Sequence, residues 1–217
     1  MRPLLIVLLI LLSACADIHI NETLKEEPMK KLTFVPIGDS YTIGTGASAE
    51  ESWPAVLSEQ LRAEGWNVTL RNPAMNGWTT KQAIEYELPV LRHENATFSS
   101  LLIGANDIVQ GVSAETYRKH VQVLLDELVK QTQGRAVVLT IPDFTRTRVG
   151  KQFGDSKPQI EAFNAVMKEE AEKRDLPIID LYALKNMSAS EDGLHPSAEE
   201  YARWAKLVKP VVLEKLS

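Results

Sequence analysis

From residue 32 onwards, short apolar runs alternate along the chain with longer segments of helical periodicity. The apolar runs are typical of strands buried on both faces, and they lie at 32–37, 66–71, 98–103, 135–141 and 176–181. The amphipathic segments lie at 52–64, 79–92, 113–130, 158–173 and 197–213. This alternation predicts an α/β fold, a three-layer α/β/α sandwich whose five-stranded parallel sheet is covered by helices on both faces.

Several predicted helices carry recognisable signals at their ends or within them. Ser197 and Glu200 have the Ser-x-x-Glu spacing of a capping box, which favours a helix start. Pro89 and Pro210 fall inside helical patterns. Because proline lacks a backbone N–H and clashes with the preceding turn, we expect those two helices to kink or stop there.

The N-terminus has the order of a secretory signal peptide. A positive charge at Arg2 is followed by an apolar run over 4–12 and by small residues before Cys15. The run is too short for a transmembrane helix, which needs about 20 apolar residues. The tetrapeptide Leu-Ser-Ala-Cys that ends at Cys15 resembles a bacterial lipobox, which implies cleavage before Cys15 and attachment of diacylglycerol to its sulfur. We therefore expect an exported protein, held on a membrane of the bacterial cell envelope by the lipid on Cys15.

Two simpler interpretations of this terminus stay open, an ordinary cleaved signal peptide with an incidental Cys15 and an uncleaved apolar anchor. The stretch after Cys15 is polar, contains Pro28 and has no clear apolar period. We interpret residues 1–14 as the signal peptide, residues 15–31 as a lipid-anchored tether, and residues 32–217 as the folded domain.

Composition narrows the class of protein. The chain has 217 residues, of which 44% are hydrophobic, enough for one ordinary domain. Its net charge is -5, and its basic residues are scattered among acidic ones, so a nucleic-acid partner is not expected. Cys15 is the single cysteine, which excludes a disulfide within the chain.

Polar residues follow two predicted strands at the edge of the sheet where α/β folds build their sites. The first strand is followed by Gly38-Asp39-Ser40, which places a hydroxyl on a tight turn, although this tripeptide is also ordinary turn chemistry. The third strand is followed by Asn106-Asp107. The amide can donate to a developing oxyanion, or the pair can cap the next helix.

A candidate base lies near the C-terminus, in Asp192-Gly193-Leu194-His195-Pro196. Pro196 favours extended geometry at His195, and Gly193 disfavours a helix, so a turn can bring Asp192 back to the imidazole. A carboxylate on one ring nitrogen fixes the tautomer and leaves the other nitrogen free to take a serine proton. A histidine on a surface loop is the alternative for this motif alone.

Taken together, these motifs resemble the SGNH hydrolases, also called the GDSL esterase and lipase family. Gly38-Asp39-Ser40 matches the block that carries the serine, 104–107 the Gly-x-Asn-Asp block, and 192–195 the Asp-x-x-His block. The resemblance covers the whole predicted domain, and it implies a flavodoxin-like three-layer fold with a five-stranded parallel sheet.

The remaining block of the family follows the second strand. The segment 72–80 is similar to Asn-x-Gly-x-x-Gly-x-Thr, with Gly77 as the glycine of the oxyanion hole. The segment departs from the family at Ala74, Asn76 and Trp78, where a glycine, a serine and an acidic or small polar residue are frequent. These changes keep Gly77 and leave the substrate preference open.

The resemblance implies a serine esterase that forms an acyl-enzyme on Ser40, with His195 as the base and Asp192 orienting the imidazole. The N–H groups of Ser40 and Gly77 and the side chain of Asn106 would bind the oxyanion. The scheme needs no metal and no organic cofactor. Its partner is a small-molecule, lipid or sugar ester.

Two other functions remain open for the same sequence. One is a non-catalytic, lipid-anchored binding module on the same scaffold, and the other is an acyltransferase that uses the same residues and a different acceptor. Hydrolysis of a short ester by the protein and by Ser40→Ala separates the first from an esterase. The sequence does not separate the second.

Further polar and aromatic residues receive structural or secondary roles. Asp39 and Asp107 could suggest a metal or a glycosidase pair, but turn and cap roles are favoured. The histidines outside the Asp-x-x-His block lack ligand spacing and are expected to be solvated: His19, His93 and His120. Trp78 is hypothesised to line the acyl or alcohol pocket. The segment 144–157 is long for a connection, and a mobile lid and a plain exposed loop are equally compatible with it.

Overall fold

A computed structural model describes residues 30–217 and contains one five-stranded sheet in the order β2-β1-β3-β4-β5, with every neighbouring pair parallel. The strands are β1 Lys30–Gly38, β2 Trp66–Leu70, β3 Phe98–Leu102, β4 Ala136–Leu139 and β5 Ile178–Ile179. Each strand overlaps one of the apolar runs, and β3 and β4 are buried along their whole length, as expected of strands covered on both faces. The α/β class is therefore confirmed.

Helices occupy the connections between the strands. They are α1 Ser40–Ile43, α2 Trp53–Ala63, α3 Thr80–Gln82, α4 Leu88–His93, α5 Ala105–Val109, α6 Ala114–Thr132, α7 Lys157–Glu172 and α8 Ala198–Leu216. A π-helical turn, Ala83–Glu87, joins α3 to α4, and short 3-10 turns lie at Ala49–Glu51, Phe144–Arg146 and Gly150–Phe153. The helix α2 packs against α8 on one face of the sheet and α6 packs against α7 on the other, which confirms the three layers.

The helix signals have mixed outcomes. The Ser197 side chain accepts a hydrogen bond from Glu200 N–H at 3.4 Å, so the predicted cap is present. Pro89 lies in the first turn of α4, directly after the π-helical turn, where a missing N–H is tolerated. Pro210 does not stop its helix, because α8 continues to Leu216.

The first strand begins two residues earlier than the predicted boundary at residue 32. Lys30 and Lys31 pair with Trp66 and Asn67 of β2, which extends the ladder to the very edge of the sheet. The signal peptide, Cys15 and most of the predicted tether lie outside the described residues. Within residues 30–217, none of the helices has the length and apolar character that crossing a membrane requires.

The strand order determines where a site can form. β1 lies between β2 and β3 in the sheet. The chain therefore goes from β1 to β2 on one flank of β1, and then returns from β2 to β3 on its other flank. A crevice opens at such a switch point, outside the carboxyl ends of the strands concerned. The residues that follow β1 and β3 therefore face each other.

Side-chain hydrogen bonds take over where the β4 ladder ends. Asn164 of α7 accepts from the Ile141 N–H at 2.8 Å and donates to the Ile141 carbonyl at 2.9 Å. Both residues are buried, and a buried peptide group without partners is costly. Asn164 thus fixes the chain where it leaves the sheet.

Candidate active site

Ser40 lies on a tight turn between β1 and α1. Asp39 caps α1, and its Oδ1 accepts a hydrogen bond from the Tyr41 N–H at 3.0 Å. A Cβ on Gly38 would lie 2.1 Å from Thr42 Oγ1, so only glycine allows this close approach. Ser40 itself is only 7% exposed, and the turn holds it at the bottom of a cleft.

The cleft brings together three of the residues predicted from sequence. Ser40, Asn106 and His195 all line it, although they come from the ends of β1 and β3 and from the loop before α8. Its other walls are almost entirely apolar and consist of Tyr41, Ala105, Val109, Phe144, Phe153 and Leu194. The cleft has a volume of about 80 Å³. Its lining combines a hydroxyl, an imidazole and an amide with a surface suited to an uncharged group.

Asp192 orients His195 as the spacing suggested. The Asp192 Oδ2 lies 2.7 Å from His195 Nδ1, and Oδ1 accepts hydrogen bonds from the N–H groups of Leu194 and His195 at 2.7 and 2.9 Å. With Nδ1 engaged by the carboxylate, Nε2 is the ring nitrogen left for a substrate or a serine. The ring of Tyr41 meets the imidazole edge-on at 5.8 Å between centroids and supports its plane.

Hydrogen bonding also fixes the charge of Asp192. Partial burial alone would raise the pKa of this carboxyl, but the hydrogen bonds from Leu194 N–H and from the ring and N–H of His195 hold the pKa well below its usual range. Asp192 is therefore ionised at every pH at which an imidazole can act as a base. An ionised partner stabilises the imidazolium that forms when His195 takes a proton.

The loop that carries Asp192 is held from outside by Arg148. Its Nη2 donates to the carbonyls of Glu191 and Asp192 at 3.2 and 3.1 Å, and the Val149 N–H donates to the Gly193 carbonyl at 2.8 Å. Gly193 has φ +73° and leaves no room for a Cβ beside the guanidinium. The contact of Arg148 could not be predicted from sequence, because nothing local links this residue to a loop more than 40 residues away.

Of the two alternatives for the segment 144–157, the plain exposed loop does not match the structure. It contains two 3-10 turns, Phe144–Arg146 and Gly150–Phe153, and it contacts the Asp192 loop. Phe144 is 2% exposed and Phe153 is 39% exposed, and both line the cleft. The segment therefore forms one wall of the cleft.

The amide of Asn106 already has an acceptor for each of its two hydrogens. Its Nδ2 donates to the Trp78 carbonyl at 2.9 Å and to Asp39 Oδ2 at 3.3 Å. The contact with Asp39 is the longer and weaker of the two. An oxyanion in the cleft can therefore gain an Asn106 hydrogen bond only by replacing one of these acceptors.

Gly77 is tied to the same region without lining the cleft. It has φ +78°, and its carbonyl accepts from Gln110 Nε2 at 3.3 Å, so the turn that contains it is attached to the end of α5. Within residues 30–217, the N–H groups of Ser40 and Gly77 have no protein acceptor. Both remain available as donors to a bound group.

Trp78 does not fulfil the role of pocket wall that its position suggested. Its ring packs on Tyr86 with 5.4 Å between centroids, and Trp78 is absent from the lining of the cleft. Its contribution to the site is made by the backbone, because its carbonyl holds the Asn106 amide.

A group of buried carboxyls lies behind the serine. Burial, helped by the nearby charge of Asp107, raises the pKa of Asp39 to about 7 against the lowering effect of the Tyr41 N–H bond. Burial, with a smaller effect from Asp39, raises the pKa of Glu87 well above its usual range, and Glu87 accepts from the Gly38 N–H at 2.8 Å. Glu87 is not among the residues predicted from sequence, although its helical spacing from Ala83 and Leu91 places it on a buried face.

Asp107 and His120 differ in detail from the sequence interpretation. Gly104, and not Asp107, is the cap of α5. Asp107 instead accepts from the N–H and hydroxyl of Thr80 at the start of α3, and burial raises its pKa. His120 is half-buried, with Nδ1 2.8 Å from the Thr80 hydroxyl, so the expectation that it is solvated is wrong.

The sequence of this chain is similar to those of known hydrolases. A model of the GDSL-like lipase/acylhydrolase family matches residues 37–203. The chain is 24% identical over 188 residues to thioesterase 1/protease 1/lysophospholipase L1 of Escherichia coli, covering 83% of this chain and 85% of that protein. It is 25% identical over 185 residues to an arylesterase of Vibrio mimicus, covering 83% and 88% of the two chains.

A solved structure shares the fold. The lipase/acylhydrolase from Enterococcus faecalis superposes with a TM-score of 0.72 at 22% identity, covering 86% of this chain and 97% of that one. The named relatives are ester and thioester hydrolases, and the matched segment contains the cleft from the end of β1 to the first turns of α8. The chain therefore belongs to the GDSL-like lipase/acylhydrolase family and is a carboxylic ester hydrolase.

Proposed function

We propose that the protein is a serine esterase in which Ser40, His195 and Asp192 form a catalytic triad and the reaction passes through an acyl-enzyme. The observation that supports this most directly is the shared cleft. Ser40 and His195 line it together, and Asp192 holds the imidazole from the opposite side through a 2.7 Å contact with Nδ1.

In the acylation step, the Ser40 oxygen attacks the ester carbonyl while His195 Nε2 takes the hydroxyl proton. The new C–O bond forms as the carbonyl π electrons move to the oxygen, which becomes an oxyanion. When the tetrahedral intermediate collapses, the bond to the alcohol breaks and the imidazolium returns its proton to the leaving oxygen. The acyl group then remains on Ser40.

Three donors are proposed to bind the oxyanion. The N–H groups of Ser40 and Gly77 have no protein acceptor within the described residues, and the Asn106 amide exchanges the Asp39 carboxylate for the oxyanion. One such donor typically lowers the barrier by about 3–4 kcal/mol. The bond that is given up is the longer of the two that the amide makes.

In the deacylation step, water takes the place of the alcohol. His195 removes a proton from the water as its oxygen attacks the acyl carbon, and the same oxyanion site is used again. Ser40 leaves with the proton that His195 returns, and a carboxylic acid is released. An alcohol in place of water would give acyl transfer with the same residues.

The substrate is proposed to carry an uncharged, apolar group next to the ester. Apart from the reacting groups, the lining of the cleft is apolar, and no ionised side chain of the described residues other than a protonated His195 faces it. Burial of apolar surface contributes about 25 cal/mol per Å². Acyl or aryl groups that fill the space between Val109 and Phe153 are the chemistry that such walls bind.

The location of the enzyme is proposed from its N-terminus. A signal peptide over residues 1–14 and a lipidated Cys15 would hold the domain on a membrane of the bacterial cell envelope through the tether 15–31. With ~0.8 kcal/mol for each buried methylene, two or more acyl chains give stable attachment. The intact mass of the protein purified from membranes tests this part directly, since each acyl chain adds a known mass at Cys15.

Hydrolysis of a short p-nitrophenyl ester tests the catalytic proposal. The full-length protein is expected to release nitrophenol with a burst of one equivalent, and Ser40→Ala is expected to lose activity by a factor of at least ~10³. Ser188→Ala, on the loop before α8 but outside the cleft lining, is the matched control and should keep its activity. Equal rates for the protein and for Ser40→Ala would reject Ser40 as the nucleophile, and equal rates at the uncatalysed level would favour a binding module.

A further inference from the structure

A second pocket lies at the opposite edge of the sheet from the cleft. It has a volume of about 210 Å³ and lies at the amino ends of β2, β1, β3 and β4. Three of its lining residues are basic, and the others are apolar or neutral: Lys30, Lys31, Arg135, Leu32, Trp66, Thr97 and Leu216. No acidic side chain of residues 30–217 lines it.

Among residues 30–217, no acidic side chain forms an ion pair with the three basic residues of this pocket. Acidic residues on the turns that precede β2 and β3 already have basic partners, because Glu64 pairs with Lys209 at 2.6 Å and Glu94 with Arg71 at 3.4 Å. The three basic side chains of the pocket are exposed. On a protein with a net charge of -5, such a group of cations is a local exception.

The aromatic residue of the pocket suits the border between water and an apolar phase. Trp66 is half-buried, and the Lys30 ammonium lies 5.3 Å from the centroid of its ring. An indole flanked by lysines is the combination found at the headgroup level of membranes. An anionic headgroup would be attracted by the cations while the ring meets the acyl boundary.

The position of the pocket along the chain selects this partner over a soluble anion. Lys30, which lines the pocket, is the first residue that the structure describes, and Cys15 lies only a short stretch of chain before it. That stretch can reach at most ~50 Å. A lipid on Cys15 would therefore keep this edge of the sheet within that distance of the membrane surface.

We propose that Lys30, Lys31 and Arg135, with Trp66, form a docking surface for anionic phospholipid headgroups, which orients the domain with the cleft facing away from the anchoring membrane. The proposal rests on the proposed lipidation of Cys15. β1 runs from Lys30 at the pocket to Gly38 beside the cleft. The eight steps between its nine residues, at ~3.3 Å each, place the cleft about 26 Å from the pocket. Substrates would reach Ser40 from the aqueous side.

Site-specific labelling of the full-length lipoprotein tests this orientation. Because Cys15 is the single cysteine and its sulfur would carry the lipid, one introduced cysteine is the only reactive thiol. A fluorophore at Asn67→Cys reports on the pocket edge, and one at Gln152→Cys reports on the cleft edge, since both side chains are exposed. The protein is placed in vesicles of phosphatidylcholine, with or without phosphatidylglycerol, that carry a quencher on the headgroups.

With phosphatidylglycerol present, we expect quenching to be at least threefold stronger at position 67 than at position 152. The triple variant Lys30→Ser, Lys31→Ser, Arg135→Ser should lose this contrast. The control variant changes three exposed lysines elsewhere: Lys81→Ser, Lys185→Ser, Lys206→Ser. It has the same net charge as the pocket variant and should keep the contrast in quenching. Equal quenching at the two positions, or a contrast that survives in the pocket variant, would overturn the proposal.

Two further measurements separate the possible failures. Inorganic phosphate that abolishes the contrast where chloride of equal ionic strength does not would assign the pocket to a soluble phosphate instead of a membrane. If the intact mass shows an unacylated Cys15, flotation of the same chain with phosphatidylglycerol vesicles still tests the surface, and flotation unaffected by the pocket variant rejects it. Ester hydrolysis by the variants reports separately on folding and on the proposed activity.

Discussion

The Asn106 amide nitrogen lies 3.3 Å from Oδ2 of Asp39, so the proposed oxyanion donor is held by the residue that caps α1, the helix that begins at Ser40. This contact preorganises the amide beside the cleft before substrate arrives. In the proposed mechanism, the same hydrogen must leave Asp39 and turn to the oxyanion. The relationship leads to two predictions, one for Asn106 and one for Asp39.

Asn106→Ala is expected to lower kcat by about 10²–10³-fold with a much smaller change in KM, because the amide stabilises charge that exists only in the transition state. Steady-state kinetics on a p-nitrophenyl ester measure both constants. Asn67→Ala, an exposed asparagine on β2 far from the cleft, is the matched control. A kcat within twofold of the unmodified protein would exclude Asn106 as an oxyanion donor.

Asp39 should make the protein less stable as pH rises through the weakly acidic range. Its pKa is about 7 in the folded chain and near 3.8 when unfolded, so between these values the unfolded state loses its proton first. The free energy of unfolding therefore falls as pH rises from about 4 to 7 and levels off above 7. Asp39→Asn removes this contribution.

Urea denaturation at pH 5 and pH 7 measures the effect. For each protein, the quantity of interest is the fall in the free energy of unfolding from pH 5 to pH 7. We expect this fall to be about 2 kcal/mol smaller for Asp39→Asn than for the unmodified protein, because one titrating group contributes 1.36 kcal/mol per pH unit. The exposed Asp155→Asn serves as the control. Parallel pH dependences for Asp39→Asn and the unmodified protein would show that Asp39 does not titrate in this range.

Arg148 is expected to act on catalysis through the Asp192 loop. Arg148→Ala removes two hydrogen bonds to the carbonyls of Glu191 and Asp192, which frees the loop that positions His195. Small displacements of a catalytic base are costly, so kcat should fall about tenfold. Lys151→Ala, exposed on the same segment, should leave kcat unchanged, and an equal loss in both variants would point to the segment as a whole.

Phe153 is expected to determine how well apolar acyl groups bind. Its side chain lines the cleft and is 39% exposed, so Phe153→Ala should cost little stability. Losing about 1 kcal/mol of apolar contact would raise KM roughly fivefold for esters with longer acyl chains and less for acetates. A panel of p-nitrophenyl esters measures this, with Val123→Ala as an exposed apolar control on α6. A uniform KM change across the panel would contradict the prediction.

The parts of the site that could be predicted from sequence are those with local signals. Ser40 and Asn106 follow buried apolar runs, and the strand order brings those two strand ends together. Asp192 and His195 are three residues apart, so a single turn is enough to join them. In each case the geometry follows from a short stretch of chain and the direction of a parallel sheet.

The remaining contacts depend on tertiary packing. Arg148 reaches its carbonyl partners across more than 40 residues, and the sequence around it has no feature that distinguishes it from other exposed basic residues. Trp78 packs on Tyr86, which lies on the helical segment that follows it. Periodicity alone does not specify that these two rings meet. Glu87 is different, since helical spacing would have revealed it.

The double hydrogen bond between Asn164 and Ile141 has an evolutionary consequence. It fixes the chain just before the segment 144–157, which forms one wall of the cleft, and α7 begins at the other end of that segment, at Lys157. Insertions or exchanges between these fixed points need not disturb the packing of the sheet, because connecting segments tolerate change far better than the elements they join. Grafting the equivalent stretch from another member of the family, with Arg148 kept for its bonds to the Asp192 loop, is therefore a direct way to transplant its preference for a substrate.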